Sequence, residues 1–326
     1  MAASTLVNSI LMALFISIIC AQPIAWLQRK RVPQWLAIVI VFVGIIAIFS
    51  VLGDVVGRSV SSFVKQAPQY ELSLDQIEIS VQDFLDENGL GIVAGDAADL
   101  LDPGQVMGYT SGLLGQVGSF MGNTLTIMFL VLFLLMEMDS VNLKAQAILK
   151  GSSASIDYLS TIGQSIRHYL SIKTFTSLLT GGIIWLALLL IGLDYAILWG
   201  LIAFLLNYIP NIGSILAAVP AVLFAMVQFG FGGALGVTAV FLSVNMIVGN
   251  LIEPKVMGQG LGLSTFVVFF SLIFWGFVLG SVGMFLSVPL TIAIKIMLEQ
   301  NPSTRGIAIA LGTQEEAQMI LDSEDK

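Results

Sequence analysis

The residues that could do chemistry gather in one stretch, Asn207 to Ser264, and almost none of them is charged. Residues 195–252 contain no Asp, Glu, Lys, Arg or His. Within that run the candidate site residues are Asn207, Pro210, Asn211 and Gly213 at one interruption, then Asn245 and Asn250 further on. The run closes on Glu253-Pro254-Lys255. A side-chain amide inside a bilayer is costly unless it is paired. These amides therefore either hydrogen-bond an uncharged polar molecule or tie a broken backbone to its neighbour, and the spacing leaves both uses open. In an ideal helix Asn245 and Asn250 are offset by roughly 140°, so they need not share a face. Glu253 is the one acidic group beside these segments. Buried, it is a candidate proton or sodium site; at the interface, it is a carboxylate paired with Lys255 that ends a helix before Pro254.

The elements that must hold these groups follow from the interruptions. Pro210 removes an amide donor, disfavours helix at Ile209, and is followed by Gly213, which permits positive φ. The pieces on either side, 195–209 and 212–227, each reach roughly 24 Å at 1.5 Å per residue, short of a bilayer's roughly 30 Å core. A re-entrant hairpin fits those lengths better than two full spans. Residues 256–294 are again free of charge and repeat the pattern, with halves at 264–279 and 284–298 around Gly280-Ser281-Val282-Gly283. Non-helical backbone at membrane depth is tolerated only where protein buries it or it lines a cavity, and paired interrupted segments point to a transporter's binding site. Pro254, Gly258, Gly260, Gly262, Gly280 and Gly283 are the expected hinges. No strand pattern precedes the glycine-rich link and no Lys-Ser/Thr follows it, which argues against a phosphate loop. Phe266, Phe269, Phe270, Phe274, Trp275 and Phe277 read most simply as lipid-facing or packing residues.

Composition sets the class. The chain is 57% hydrophobic and 10% charged over 326 residues, with a mean hydropathy of +0.95, far from the roughly 25% charged residues of soluble proteins. A single cysteine, Cys20, and a single histidine, His168, argue against internal disulfides and Cys or His metal clusters. The net charge of −8 argues against nucleic acid, which calls for a basic patch. Neither cofactor nor metal is expected, and no nucleophile, ATP motif or intramembrane carboxylate pair marks an enzyme.

The predicted fold is all-α: a polytopic membrane protein with about five full transmembrane helices, two re-entrant broken hairpins and a helical extramembrane domain. Residues 1–53 form an amino-terminal hairpin whose turn, Arg29-Lys30-Arg31, the positive-inside rule assigns to the cytoplasm. That places Met1 outside, so an additional preceding helix is expected. Residues 54–118 form an acidic extracytoplasmic helical domain, in which ten carboxylates between Asp54 and Asp102 stand against Arg58 and Lys65. Residues 119–193 supply scaffold helices with a cytoplasmic linker, with Gly181-Gly182 allowing close helix contact. Residues 194–300 form the transport unit, and 301–326 a cytoplasmic tail. With these assignments the two hairpins approach the midplane from opposite faces, as inverted repeats do.

The blocks YLSIKTFTSLLTG (169–181), WGLIAFLLNYIPNIGSILAAVP (199–220), GNLIEPKVMGQGLGLSTFVVFFSLIFWGFVLG (249–280) and VGMFLSVPLTIAIK (282–295) resemble the AI-2E family of bacterial membrane transporters, the autoinducer-2 exporter family. The similarity runs from about Ser4 to Gln300. It implies export of a small polar metabolite, with the quorum-sensing signal autoinducer-2 as the expected cargo and alternating access as the mechanism. It also permits a monovalent cation (sodium)/proton antiporter. It implies a bacterial inner (plasma) membrane location, contact with lipid, and a homo-oligomer, a pentamer. Family members usually carry one more amino-terminal helix than this chain, in line with the topology above. A non-transport alternative is a membrane scaffold, in which changes at Asn207, Pro210 and Asn211 alter assembly and no flux.

Overall fold

The computed structural model describes residues 2–87, 108, 112, 124–148, 153–210, 212–257 and 262–324, and no strand occurs among them. Helix α1 spans Ala2–Arg29 and continues through Pro23. Helix α2 spans Gln34–Glu87, so the apolar segment and the first part of the acidic stretch are one helix. Residues 88–107, 109–111 and 113–123, which hold much of the expected extramembrane domain, lie outside the described residues. Helix α3 spans Thr124–Ile148 and α4 spans Ser153–Ile191, the latter carrying Lys173 deep within its length. Then come α5 (Ala196–Leu206) and α6 (Ile212–Val244). A π-helical turn follows at Asn245–Ile252, then α7 (Glu253–Met257), α8 (Thr265–Leu279) and α9 (Ser281–Glu299). The tail forms α10 (Arg305–Leu311) and α11 (Gln314–Glu324).

Five runs among the described residues are long and apolar enough to cross a membrane: Leu6–Arg29, Gln34–Ser59, Thr161–Ile191, Ile212–Met257 and Ser281–Glu299. Thr124–Glu137, Ala196–Leu206 and Thr265–Leu279 are shorter apolar helices. Only at Gly230, with φ 71° and ψ −165°, does α6 leave helical backbone, so it is two arms joined at a bend.

Packing follows the logic of lipid, where hydrocarbon solvates an apolar helix as well as another helix does, and close approach of small residues does the work. Helices α4 and α5 form a tight antiparallel pair. A Cβ on Gly181 would come within 2.7 Å of both the Gly200 carbonyl oxygen and Phe204 Cβ, while a Cβ on Gly200 would come within 2.6 Å of Trp185 Cβ. Only hydrogen fits at either point. Ala217, Ala221 and Ala225, spaced by four on α6 and fully buried, make a seam of small side chains in the cluster that includes Leu188, Leu198 and Trp199. A second cluster joins α1, α2 and α3 through Ala13, Ala37, Val131 and Leu135. A third joins α1, α4 and the α8–α9 pair through Phe15, Leu170, Leu286 and Ile292, and at its centre stands Tyr208.

Candidate functional site

The chain breaks at the two expected places, and each break is built around a close approach. At the first, α5 ends at Leu206 and α6 begins at Ile212. Gly213 was expected to supply positive φ, but positive φ occurs at Gly192, Gly230, Gly262 and Gly280 among the described glycines. Gly213 is required for a different reason: a Cβ there would run into the Leu206 carbonyl oxygen. At the second break Gly280 has φ 66° and ψ −147°, a region open to glycine alone, and it ends α8 and starts α9. Gly283 then repeats the role of Gly213, since a Cβ on it would strike the Trp275 carbonyl oxygen.

The first break is tied to α4 by side chains. Asn207 Nδ2 donates to Ser177 Oγ at 3.0 Å in a buried contact, and Tyr208 Oη donates to Thr174 Oγ1 at 2.8 Å. Thr174 in turn donates to the Leu170 carbonyl. The Tyr208 ring meets Phe15 and Phe204 edge-on, at centroid distances of 5.6 and 5.8 Å, and stacks on Phe285 at 5.7 Å. It thus links the first break to the helix that follows the second. Pro210 is half-buried in the turn, and Asn211 lies outside the described residues. At the far end of the same pair, Gln228 donates to the Gly192 carbonyl and accepts from the Asp194 amide, pinning the α4–α5 turn to the arm of α6 that precedes Gly230.

Asn245 begins the π-helical turn and Asn250 lies within it. A π turn closes on residues five apart, which brings the two amides nearer in azimuth than an ideal α-helix would, and such turns recur at functional sites. Asn245 is half-buried and Asn250 exposed. Asn245 also lines a groove of about 320 Å³ between the two arms of α6, with Ser214, Thr238 and Phe241 among its walls. This groove places Asn245 and Ser214, beside the first break, on a common surface.

Glu253 does not pair with Lys255, which is exposed. Its partner is Lys173 of α4, with Nζ 2.7 Å from Oε1 and side-chain exposures of 5% and 17%. The physical reason is burial. Lys173, 4% exposed, cannot be left without an anion, whereas Lys255 reaches solvent. Nor does the helix end before Pro254: the π turn and α7 run on through it, at the cost of one ladder hydrogen bond, since proline has no amide to donate. Gly258 and Gly260 lie outside the described residues. Gly262 has φ 65°, and its carbonyl accepts from Lys295 Nζ at 2.7 Å.

Several groups at these sites escape a reading of the interruptions alone: Lys173, Thr174, Ser177, Tyr208, Gln228 and Lys295. A signal for the α4 members exists, since Lys173, Thr174, Ser177 and Thr180 fall three or four apart along an otherwise apolar helix and so share a face. For Lys173 and Lys295 themselves the sequence gives no such signal, because a charge at the end of an apolar run does not tell whether it is buried. On the exposed face of α8, Phe266, Phe270 and Phe274 stack in sequence at 6.4 Å and Phe277 is 91% exposed, while Trp275 turns inward to donate to Thr291 Oγ1.

The AI-2E family transporter description matches residues 1–303. A protein of Haemophilus influenzae named for transport, without a substrate, is 39% identical over 320 residues, covering 96% of this chain and 92% of that protein. The Escherichia coli protein named AI-2 transport protein TqsA is 38% identical over 309 residues, covering 95% of this chain and 90% of its own length. The E. coli protein YhhT, likewise named for transport, is 36% identical over 311 residues, with 95% and 89% covered.

Proposed function

This chain belongs to the AI-2E family of transporters, a multi-pass protein of the bacterial inner membrane and not an enzyme, and from that premise we propose that it exports a small polar metabolite, autoinducer-2, by alternating access around its two broken helix pairs. The observation that carries this reading is the uncharged polar cluster at the first break. Asn207, Ser177, Tyr208 and Thr174 bring an amide and three hydroxyls together from two charge-free runs, 174–193 and 195–252. Such a cluster can exchange its internal hydrogen bonds for those of a neutral polyhydroxylated molecule, and the ammonium of the neighbouring Lys173 is already matched by Glu253. The name of the TqsA relative supports the choice of cargo.

In this reading the shorter helices, Ala196–Leu206 and Thr265–Leu279, are halves of re-entrant pairs, and the half-helix ends supply further donors and acceptors. Asn245 and Asn250 extend the polar surface, Asn211 is a further candidate contact by sequence, and Gly280 is the hinge. The working unit is a homo-oligomer, a pentamer, in contact with lipid.

A second reading, monovalent cation/proton antiport, is favoured by one observation: the buried Lys173–Glu253 pair. A cation or proton arriving at Glu253 would have to displace the Lys173 ammonium, and that competition would couple binding to movement.

Efflux from proteoliposomes separates the two. Loss of autoinducer-2 efflux in Asn207→Ala, with efflux retained and indifferent to a proton gradient in the double variant Lys173→Met with Glu253→Gln, which leaves no buried charge unpaired, is the result expected of a facilitated exporter. Absence of autoinducer-2 movement together with sodium-for-proton exchange that needs Glu253 would replace the first reading with the second.

A further inference from the structure

The buried Lys295 near the end of α9 has more partners than its charge requires. Its Nζ lies 2.6 Å from Glu316 Oε2 on the tail helix α11, 3.4 Å from Glu299 Oε1 one turn along its own helix, and 2.7 Å from the Gly262 carbonyl oxygen. The lysine side chain is 6% exposed, and the two carboxylates are about a third exposed, at 30% and 37%. A buried ammonium must keep one anion, and Glu299, fixed at i+4, is always within reach. Glu316 is therefore not needed to neutralise it.

Glu316 instead joins the tail to the entrance of the second broken pair. The Lys295–Gly262–Glu316 contact is backed by a bond from the Ser264 amide to the Leu311 carbonyl at 3.1 Å, and Ser264 is the residue that caps α8. A Cβ on Gly312 would come within 2.5 Å of Glu316 Oε2, so the carboxylate is seated against the backbone that leads into α11. The family match ends at residue 303, ahead of this helix.

We infer that the carboxy-terminal helix is a releasable latch on the α8–α9 pair, with Lys295 exchanging Glu316 for Glu299 when the tail lifts. Latched, the tail holds Gly262 and the start of α8 against α9. Released, the lysine keeps a carboxylate of its own helix, so the buried charge is never orphaned and opening costs little. A clamp serving only stability would have no use for the second carboxylate.

The two carboxylates then have opposite roles, and that is the test. Hydrogen exchange of the amides of Gln314–Glu324 is followed in the full chain in lipid nanodiscs, without reference to any transported molecule. Glu316→Gln is expected to speed that exchange about two- to fivefold, the scale of one partly exposed ion pair lost from a local opening. Glu299→Gln is expected to slow it, because the released lysine then has no anion to go to. Gly312→Ala keeps both charges and should imitate Glu316→Gln by displacing the carboxylate, which guards against a Glu316 variant that fails to assemble. Exchange that rises in both carboxylate variants, or in neither Glu316→Gln nor Gly312→Ala, would overturn the latch.

Discussion

The two broken helix pairs share a design at the break and differ in what holds them. In each, a buried glycine, Gly213 or Gly283, lets the incoming helix press on a carbonyl of the outgoing one, Leu206 or Trp275, and a proline, Pro220 or Pro289, follows within the next helix. The first pair is fastened at both ends: Asn207 and Tyr208 hold its break to α4, and Gln228 holds its far turn. The second turns on Gly280. Its break is met from outside by Asn8, which donates to the Leu279 carbonyl at 3.1 Å, and its opposite end is met by Lys295 and the tail. In the mechanism proposed above, the first break, bound by several side chains, is the fixed one, and the second, which turns on a glycine and is restrained at its far end, is the one that moves.

The buried lysines carry the same contrast, and breaking them should give the largest effects. Lys173→Met leaves Glu253 without its partner and should cost about 3 kcal/mol, read as a fall in the thermal or denaturant midpoint in detergent. Adding Glu253→Gln should recover most of the loss, because the orphaned charge is gone. Removing one partner of Lys295, in Glu299→Gln, should cost under about 1 kcal/mol because Glu316 remains. Equal costs at the two lysines would erase the distinction between a committed pair and an exchangeable one.

Next in size, Gly213→Ala and Gly283→Ala should each destabilise by about 1–3 kcal/mol, since the added methyl meets backbone and only a shift of a whole helix relieves it. A neutral result at either position would separate the two breaks. Gly280→Ala should cost a similar 1–3 kcal/mol through backbone strain, and the first break has no described glycine that should answer in this way. Smallest are the side-chain ties. Asn207→Ala and Tyr208→Phe should each cost about 0.6 kcal/mol, the average interhelical hydrogen bond in a membrane, and Gln228→Ala a similar amount. Their combined loss should loosen the first pair, visible as faster hydrogen exchange across Ala196–Leu206.

Much of this was legible in the sequence for physical reasons. Bilayer thickness makes charge-free runs countable, so the membrane class, the helical fold and the positions of both breaks follow from Pro210, Gly280 and the spacing of charges. What was not legible is long-range pairing. Glu253 has Lys255 two residues away and Lys173 eighty away, and only burial decides between them. The reason for Gly213 was also hidden, because glycine serves both positive φ and close approach, and the sequence does not tell these apart. Helix α2 runs through residue 53 for the same kind of reason: a change from apolar to acidic side chains alters what a helix faces without ending it.

The most direct measurement of a fixed first pair and a swinging second one is a pair of spin-label distance distributions in nanodiscs, on a Cys20→Ser background. One label pair joins exposed positions of α4 and α5, Leu178→Cys with Ile197→Cys; the other joins α4 to the exposed end of α8, Leu178→Cys with Phe277→Cys. The account predicts a single narrow distance for the first pair and two populations for the second. Two populations for the α4–α5 pair, or a single narrow distance for both, would contradict it.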